Sequence, residues 1–443
     1  MLRLGIDIGT TKVSAVIVAD DLSVHEHASR DHNAALPLGG GLAEQDFGKI
    51  ESATRAALDA LPAALLARVV SVGLSSQMHS VVRGRRDGTV STVVTWQDRR
   101  TEGEVGEMSA LCGHALFPGY GGATLAHDAR RGELADWDWA GTPADELARR
   151  LVGADSVSAM DPTLAAPWGL YDAVHHDWDR AAAARLGVPE RFFPRIVESG
   201  TVVGLTAGGF GALPAGIPVL APIGDNQASV LGSGGDPATD LFATVGTGSQ
   251  LSAVVSEEDA AKIEPVPGLD FRPFPGGKVL VAVPPLSGGH AWALLAEAVS
   301  GVLAAFGTAS VPEKQMLDRL DEMAALAAPD AGGLRIAPDF YGTRVHPGSF
   351  GSIDGITASN FTLPNVARAL ANGLVANLFS PMPRAVVESK RRILGSGNGL
   401  AKCRAMRQAV AEACPLPLVM PGRREEAATG AALLPVFLKG AAS

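Results

Sequence analysis

The sequence predicts an α/β protein, because apolar strands alternate with helical segments and because one strand-and-turn element occurs twice. Leu2–Ile8 has the pattern of a strand, a Gly-Thr-Thr turn follows, and Val13–Val18 continues as a second strand. Residues 48–67 carry helical spacing, and Val69–Leu74 is again an apolar strand. Helices interleaved with strands in this way are typical of the α/β class.

The second strand-and-turn element lies near the middle of the chain. Phe242–Val245 is an apolar strand that enters Gly246-Thr247-Gly248-Ser249, as Ile6–Ile8 enters Gly9-Thr10-Thr11. Gly246 follows Gly9 by 237 residues, so each half of the chain carries one copy. The repeat predicts a duplicated architecture whose equivalent loops face one cleft.

The length of the chain also indicates two domains. A single core rarely grows beyond about 250–300 residues, and this chain has 443. Residues 234–240, GGDPATD, form a Gly-, Pro- and Asp-containing break ahead of the second hairpin, which is typical of a boundary. We therefore predict domains at 1–237 and 238–443, and loops at the Gly/Pro-rich segments 113–125 and 265–278.

Composition narrows the expected partners and compartment. The 47 Asp and Glu outnumber the 37 Lys and Arg, for a formal net charge of −10, so neither a nucleic-acid nor an anionic-membrane surface is indicated. Cys112, Cys403 and Cys414 lack metal-type spacing, and their odd number favours a reducing, cytoplasmic location. Asp7 and Lys12 interrupt the apolar N-terminus, so neither a signal peptide nor a membrane span is predicted. A small molecule is the expected ligand, and a homodimer is one open alternative for the oligomeric state.

The first turn carries residues suited to a phosphate group. Asp7 lies two residues before Gly9, and the N–H groups of the turn, with the Thr10 and Thr11 hydroxyls, can hold phosphate oxygens. Asp7 would then hold hydrated Mg²⁺, which prefers one or two carboxylates together with substrate phosphates. An ordinary hairpin, whose Asp and Thr side chains satisfy turn hydrogen bonds, explains the same pattern.

A second candidate carboxylate follows an apolar strand at Ile217–Ile223. Asp225 stands at the carboxyl end of this strand, the edge at which open α/β sheets bind their ligands. A carboxylate there can accept the proton of an attacking hydroxyl, and the start of a helix helps to keep it ionised. The alternative is that Asp225 is an ordinary helix N-cap.

Polar side chains also follow the strand that ends at Leu74. Gln77 and His79 of SSQMHS, at 75–80, offer hydrogen bonds to ligand hydroxyls, and Met78 can pack on a carbon face. A lone His is more often a hydrogen-bonded structural residue, and that is the alternative for His79. Trp96, Asp98 and Arg99 can line the same pocket or form a surface turn.

Three other motifs indicate no site by themselves. The sequence contains no GxxxxGK[ST], so a P-loop is not predicted. GSGNG at 395–399 lacks GxGxxG spacing, which argues against a Rossmann dinucleotide site. EEAATGAAL at 425–433 is typical of a helix with acidic residues in its first turn and a small, tightly packed face.

Taken in order, these segments resemble the FGGY carbohydrate kinases, members of the sugar kinase, actin and heat-shock chaperone superfamily. The resemblance runs through the whole chain. It is carried by GIDIGTTK at 5–12, SSQMHS at 75–80, WQDRR at 96–100, GLYD at 169–172, IGDNQAS at 223–229, TVGTGSQ at 244–250, LSGGHAW at 286–292, GSIDGI at 351–356, GSGNG at 395–399 and EEAATGAAL at 425–433.

The resemblance implies an ATP- and Mg²⁺-dependent sugar phosphotransferase with a duplicated actin-like, ribonuclease-H-like fold and two domains around a central cleft. The residues that match the family's functional positions fall into five groups. The match makes Asp225 the catalytic base, Asp7 the Mg²⁺ carboxylate, Thr10, Thr11, Gly246 and Thr247 the phosphate loops, Gln77, Met78, His79, Asp225 and Asn226 the sugar contacts, and Gly289, Gly397 and Asn398 the adenosine pocket.

Within the family, GDNQAS, TVGTGSQ, FRPFPGG and SGGHAW look closest to sedoheptulokinase-like members, with xylulokinase-like members second. The resemblance therefore implies a seven-carbon ketose as substrate, and xylulose or another pentulose or polyol as the alternative. Two positions depart from the family pattern. Asn372 stands where an acidic residue or Gln is usual, and Cys403 where the adenosine loop often has Asn or Ser.

The implied reaction is in-line transfer of the γ-phosphoryl group of MgATP to a terminal hydroxyl that Asp225 deprotonates. Closure of the domains about a hinge at 234–240 would exclude water. A non-catalytic sugar or nucleotide sensor with the same fold is the alternative from another class, and sugar-dependent ADP release distinguishes the two.

Overall fold

The structure is a computed structural model that describes residues 1–246, 248–340, 342–343, 348–422 and 425–441. Contacts divide the chain into two compact units. The first comprises Met1–Gly234, Pro273–Gly277 and Arg423–Ser443, and the second comprises Gly235–Arg272 and Lys278–Gly422. The predicted domain boundary at 237/238 stays a prediction; the units divide three residues earlier, and the C-terminal helix belongs to the first unit.

The first part of the chain forms fifteen strands and eight helices among the described residues. The strands are β1 (Leu2–Ile8), β2 (Lys12–Ala19), β3 (Val24–Asp31), β4 (Glu44–Gln45), β5 (Val69–Ser76), β6 (Val82–Gly84), β7 (Val93–Val94), β8 (Trp139–Gly141), β9 (Ala159–Met160), β10 (Tyr171–Asp172), β11 (Asp177–Trp178), β12 (Arg195–Ile196), β13 (Val202–Leu205), β14 (Pro218–Leu220) and β15 (Ile223–Gly224). The helices are α1 (Phe47–Asp59), α2 (Ala63–Leu66), α3 (Val105–Cys112), α4 (Gly121–Arg130), α5 (Pro143–Val152), α6 (Pro162–Ala165), α7 (Arg180–Arg185) and α8 (Asp225–Gly232).

The remaining described residues add eight strands and eight helices. The strands are β16 (Asp240–Val245), β17 (Ser249–Ser256), β18 (Asp270–Phe274), β19 (Lys278–Val283), β20 (Arg335–Ala337), β21 (Ser352–Asp354), β22 (Arg392–Ser396) and β23 (Leu418–Val419). The helices are α9 (Glu257–Ala260), α10 (Gly289–Ala305), α11 (Glu313–Leu326), α12 (Leu363–Phe379), α13 (Arg384–Glu388), α14 (Gly397–Lys402), α15 (Arg404–Ala413) and α16 (Glu426–Ala441). Among the described residues, no helix is both long enough and apolar enough to cross a membrane.

Each unit is built on a sheet with the same central arrangement. In the first, the strand order is β13-β14-β5-β1-β2-β3, and β15 also pairs with β5. In the second, the order is β18-β19-β17-β16-β22-β23. In both sheets a hairpin, β1-β2 or β16-β17, is antiparallel, and its first strand is parallel to a later strand, β5 or β22. This shared order confirms the predicted duplication.

The α/β class and most predicted elements are confirmed. The differences are two predicted elements that are interrupted near a proline and two predicted loops that contain a helix or a strand. The helix predicted at 48–67 is two helices, because Pro62 cannot donate the backbone hydrogen bond that would continue α1. The strand predicted at 217–223 is likewise interrupted, at Pro222, into β14 and β15. The predicted loops were partly wrong, because α4 begins at Gly121 and β18 crosses residues 270–274.

The first sheet is buried on both faces. On one face, Leu4, Ile6 and Ile8 of β1 lie in a core that includes Ile50 and Leu58 of α1. On the other face, side chains of β2 pack with Ala428, Ala432 and Leu433 of α16. Strands that are covered by helices on both faces read as continuous apolar runs, as β1 and β2 do.

The contact between α16 and the sheet is made backbone to backbone. A Cβ added to Gly5 of β1 would lie 1.8 Å from the carbonyl oxygen of Ala428, and one added to Gly73 of β5 would lie 1.9 Å from that of Ala431. Gly430, on α16 itself, approaches α8 in the same way, since its added Cβ would lie 1.8 Å from the Ala228 oxygen. The predicted small, packed face of this helix is therefore confirmed, and it fixes β1, β5 and α8 together.

We predict that Gly430→Ala lowers the free energy of unfolding by about 3 kcal/mol, the upper end of the usual cost of overpacking, because an added methyl group forces α8 and α16 apart. The matched control is Gly106→Ala in α3, where an added Cβ meets nothing within 4 Å. That change should be neutral or stabilising by up to about 1 kcal/mol. Thermal and denaturant unfolding of both variants checks this, and equal stability of the two would contradict the packing described.

Candidate active site

Three strands of the first sheet bring the candidate carboxylates to one edge. Asp7 of β1 lies opposite Ser75 of the parallel strand β5, and Ile223 of β15 lies opposite Ser75 on its other side. Asp225 follows β15 directly, as the first residue of α8. Parallel strands end at the same edge of a sheet, so Asp7 and Asp225 reach the same region from positions more than 200 residues apart in sequence.

The Asp7 carboxylate is buried, and other carboxylates lie close enough to act on its pKa. Ser75 donates to its Oδ1 at 2.8 Å. Burial raises the pKa of Asp7 to about 7, and the negative charges of Asp225 and Glu425 act in the same direction against the Ser75 hydrogen bond. A positive ion at this carboxylate would remove the conflict. The donor set therefore fits a divalent cation held by one carboxylate plus ligand oxygens, and no group of three metal-ligating side chains occurs in the described part of the chain.

Asp225 is partly exposed, and its backbone is fixed on two sides. Gly224, rather than Asp225, is the N-cap of α8, so the N-cap alternative does not describe this helix. The Gly224 N–H donates to Thr163 Oγ1 at 2.8 Å, and the Asn226 N–H donates to Asp225 Oδ1, also at 2.8 Å. Asp161 caps the short helix that carries Thr163. The start of α8 is thus held rigidly, with the carboxylate in the favourable field of the helix N-terminus.

The phosphate-type turn between β1 and β2 is closed by its own backbone and supported by an ion pair. The Gly9 N–H donates to Lys12 O at 3.0 Å, and the Thr11 side chain is exposed. Lys12 Nζ contacts both carboxylate oxygens of Glu425, at 2.7 and 2.8 Å. Burial opposes ionisation of Glu425, but Lys12 and the Ser14 and Ser29 hydroxyls outweigh it, so the pKa of Glu425 lies below its ordinary value.

Glu425 is a residue whose role the sequence did not indicate. It precedes α16, has a φ of +54°, and its partner Lys12 lies 413 positions away. A left-handed conformation is uncommon for a non-glycine residue and marks a position held by its surroundings. No local pattern relates the two residues, so only the folded chain shows that Glu425 is part of the turn's surroundings.

The SSQMHS segment is held in a strained, well-packed conformation at the end of β5. His79 has a φ of +70°, its Nδ1 lies 2.7 Å from the Pro167 carbonyl oxygen, and its ring stacks on Tyr120 at 4.6 Å. Because a carbonyl only accepts, Nδ1 carries the proton of the neutral ring. Gln77 and Met78 are buried beside it. These contacts fix the ring orientation of His79 whatever its further role.

The WQDRR segment divides into an internal and an exposed part. Asp98 is buried and accepts from the Ala43 N–H and from Arg100, which also pairs with Glu44. Arg99 is exposed. Trp96 is 43% exposed, and its Nε1 lies 3.4 Å from Thr10 Oγ1. The partly buried ion pairs of Arg100 with Asp98 and Glu44 therefore hold a loop that places an accessible indole beside the first turn.

In the second unit, three glycine-rich segments meet backbone to backbone. The Gly289 N–H, at the start of α10, donates to Gly246 O at 2.7 Å. Gly397, at the start of α14, has a φ of +83°, and an added Cβ would lie 2.4 Å from the Val245 oxygen. Asn398 is exposed beside it, and Thr247 lies outside the described residues. The structure thus brings Gly246, Gly289 and Gly397 together, at the N-termini of two helices.

The second sheet has a counterpart to the Asp7–Ser75 pair. Thr244 stands two residues before Gly246, as Asp7 stands two residues before Gly9. It lies opposite Ser396 of β22, and the two hydroxyl oxygens are 2.8 Å apart. The duplicated position therefore keeps a polar pair in both units but a carboxylate in the first alone.

The sequences of both units match models of one family. The model of the FGGY family of carbohydrate kinases, N-terminal domain, matches residues 2–232, and that of the C-terminal domain matches residues 286–437. The chain belongs to the FGGY family of carbohydrate kinases. It is 30% identical to a sedoheptulokinase from Homo sapiens, over 98% of this chain and 97% of that protein. The kinase is therefore a phosphotransferase that acts on a sugar and uses ATP.

Solved structures establish the fold of this carbohydrate kinase. A xyloylose kinase from Brucella ovis superposes with a TM-score of 0.83 at 22% identity, covering 100% of this chain and 91% of that one. A ligand-bound xylulose kinase from Lactobacillus acidophilus gives 0.82 at 19% identity, covering 99% and 89%. The predicted two-domain, duplicated actin-like fold is confirmed.

The two departures from the family pattern have structural partners in this carbohydrate kinase. Asn372 accepts from Arg368 at 3.0 Å and donates to Pro329 O at 2.8 Å. Cys403 is the N-cap of α15, where its sulfur accepts from Met406 N and lies 3.1 Å from an Asp321 oxygen. Burial, together with Asp321, raises the pKa of the Cys403 thiol to about 12. Both residues are therefore hydrogen-bonded parts of the second unit.

We predict that Gly397→Ala abolishes most of the thermal stabilisation of the kinase by ATP and raises KM for ATP by about 100-fold, since an ångström of displacement can have that effect. The matched control is Gly307→Ala, which has a φ of +71° and nothing within 4 Å of an added Cβ. Both changes carry the strain of a left-handed alanine, so an equal KM for ATP in the two variants would show that the glycine contact is irrelevant to nucleotide binding.

Proposed function

We propose that the kinase phosphorylates a terminal hydroxyl of sedoheptulose, with Asp225 as the base. The similarity to a human sedoheptulokinase, which extends over nearly the full length of both chains, supports the substrate. The position of Asp225 at the sheet edge that carries Asp7 and the first turn supports the chemistry.

Asp225 orients the acceptor hydroxyl and takes its proton. It is partly exposed, so a ligand can reach it, and its carboxylate accepts from the Asn226 N–H at the N-terminus of α8, a position that suits an anion. Phosphoryl transfer passes through a loose transition state, so a carboxylate is a sufficient base when it is well placed. The rigid start of α8 provides this placement, and Asn226 contacts the same sugar.

The phosphoryl donor of the proposed reaction is ATP. In the first unit, the N–H groups and hydroxyls of Thr10 and Thr11 would bind phosphate oxygens. In the second unit, the nucleotide-binding residues would be Gly246, Gly289, Gly397 and Asn398, together with Thr247, which lies outside the described residues. Asp7 would hold Mg²⁺, which neutralises developing charge on the phosphates when it is bound. The conflict of negative charge at Asp7 supports this assignment.

The SSQMHS segment would select the sugar. Met78 offers an apolar surface for the carbon chain, and the Nε2 of His79 is the acceptor nitrogen when Nδ1–H faces Pro167 O. Gln77 is buried, and it would contact the sugar directly. A pentulose such as xylulose would use the same residues, which makes it the competing substrate.

We predict that Asp225→Asn lowers sugar-dependent ADP release by about a thousandfold while ATP still raises the melting temperature, because only proton acceptance is lost. A matched control is Asp179→Asn, since Asp179 begins α7 as its N-cap and lies outside the proposed site. A coupled assay of ADP release checks both variants. Near-normal turnover of Asp225→Asn would remove the assignment of the base, and a wild-type protein without sugar-dependent turnover would favour the non-catalytic sensor.

A panel of C3 to C7 polyols, aldoses and ketoses tests the substrate. We expect sedoheptulose to give the highest kcat/KM, exceeding xylulose by about tenfold or more, the discrimination that one or two specific contacts supply. Product phosphorylation at a terminal carbon is checked by ³¹P and ¹³C NMR spectroscopy. A higher kcat/KM with xylulose or glycerol would overturn the choice of sugar and leave the kinase assignment intact.

A further inference from the structure

The carbonyl groups of the first turn all point at buried donors. Gly9 O lies 3.2 Å from His32 Nε2, Thr10 O accepts from Gln45 Nε2 at 2.7 Å, and Thr11 O accepts from the His32 N–H at 3.1 Å. His32 is 5% exposed and Gln45 is 2% exposed. Buried polar groups of this kind are kept because their hydrogen bonds are satisfied. The turn is therefore held by donors behind it.

The hydrogen bonds of His32 and Gln45 fix which way each side chain points. The Ala34 N–H donates to His32 Nδ1 at 3.0 Å, so the proton of the neutral ring is on Nε2, which donates to Gly9 O. Gln45 Oε1 accepts from Gln77 Nε2 at 2.8 Å, so its amide nitrogen is the group that faces Thr10 O. Both side chains act as donors to the turn.

Holding the carbonyls in one direction aims the amides in the other. In a trans peptide the C=O and the following N–H point to opposite sides. The partners of Gly9 O and Thr10 O therefore direct the N–H groups of Thr10 and Thr11 away from the protein interior. Those are the two amides that the proposed function assigns to phosphate oxygens, and preorganised amides bind an anion without reorganisation.

The same amide of Gln45 connects this turn to the sugar segment. Gln77 is 1% exposed, its N–H donates to Ile8 O at 3.0 Å, and its side chain donates to Gln45. Its Oε1 is buried and, within the described residues, has no hydrogen-bond partner. The chain of contacts thus runs from the residue before Met78 through Gln45 to the Thr10 carbonyl. The two amides therefore form one continuous chain of hydrogen bonds between these positions.

We propose that Gln45 is a positioning residue that couples occupation of the sugar segment at Gln77 to the geometry of the phosphate turn at Thr10. The inference rests on the proposed function of that turn. Gln45 touches neither substrate; it acts through the Thr10 peptide. It lies in AEQD at 43–46, a segment whose Glu44 pairs with Arg100 and whose Asp46 caps α1. Sugar bound beside Gln77 then favours the turn conformation that binds ATP.

The test is a double-mutant cycle on KM for ATP at saturating sugar. Gln45→Met and Gln77→Met each remove one amide while keeping a similar volume, and each should raise KM for ATP by about tenfold, the effect of a lost buried hydrogen bond. The double variant should be no worse than Gln45→Met alone, because both changes break one chain of contacts. A tenfold effect from each change that multiplies in the double variant would overturn the coupling, as would an unchanged KM in Gln45→Met.

Thr54→Val is the matched control, since Thr54 is buried in α1 and its hydroxyl donates to Ile50 O at 2.9 Å. It loses a buried hydrogen bond in the same unit and should leave KM for ATP unchanged. If Gln45→Met does not fold, Gln45→Glu serves instead, because it keeps the acceptor for Gln77 and loses the donor to Thr10 O. Absence of sugar-dependent ADP release in the wild-type kinase would refute the proposed function itself, whereas a normal Gln45 variant refutes this inference alone.

Discussion

The close contact between α16 and the strands β1 and β5 is the constraint on which the first unit depends. Gly5 and Gly73 let the helix backbone approach the sheet to a distance that a single methyl group would prevent. The same helix lies against α8 through Gly430. Because Asp7 lies one residue before the end of β1 and Asp225 begins α8, this packing sets the separation of the two carboxylates. Close-packed backbone tolerates little displacement, so the site inherits the rigidity of the core.

The charges at the carboxyl end of β1, β5 and β15 support its assignment as the candidate active site. Asp7, Asp225 and Glu425 lie close enough for their charges to raise the pKa of Asp7, and Lys12 is engaged by Glu425. Burial and nearby like charges destabilise an ionised carboxylate. Carboxylates whose pKa is raised in this way are concentrated at functional sites. These charges support the proposal that Asp7 holds a divalent cation together with the phosphates of the nucleotide. The second unit has Thr244 at the equivalent position, so a carboxylate stands at this position in the first unit alone.

A functional residue could be predicted from the sequence where the pattern that marks it lies within one short segment. Asp7, Thr10 and Asp225 each stand at the end of an apolar strand, and strand ends can be read from a single segment. Gln45 and Glu425 could not be found in this way, because their partners are a distant backbone carbonyl and a distant lysine. The fold class and the duplication were predictable from alternating strands and helices. The interruptions of the predicted helix at Pro62 and of the predicted strand at Pro222 each depend on a single proline. The spacing of apolar residues alone does not show where such an interruption falls.

The most direct test of the proposed catalytic role of Asp225 is a crystal structure of the kinase with sedoheptulose, Mg²⁺ and a non-hydrolysable ATP analogue. We expect a terminal hydroxyl of the sugar to lie about 2.6–3.2 Å from an Asp225 carboxylate oxygen, the reach of a general base. We also expect phosphate oxygens at the N–H groups of Thr10 and Thr11. A bound sugar whose terminal hydroxyl faces another side chain, with Asp225 beyond hydrogen-bonding distance of any hydroxyl, would contradict it.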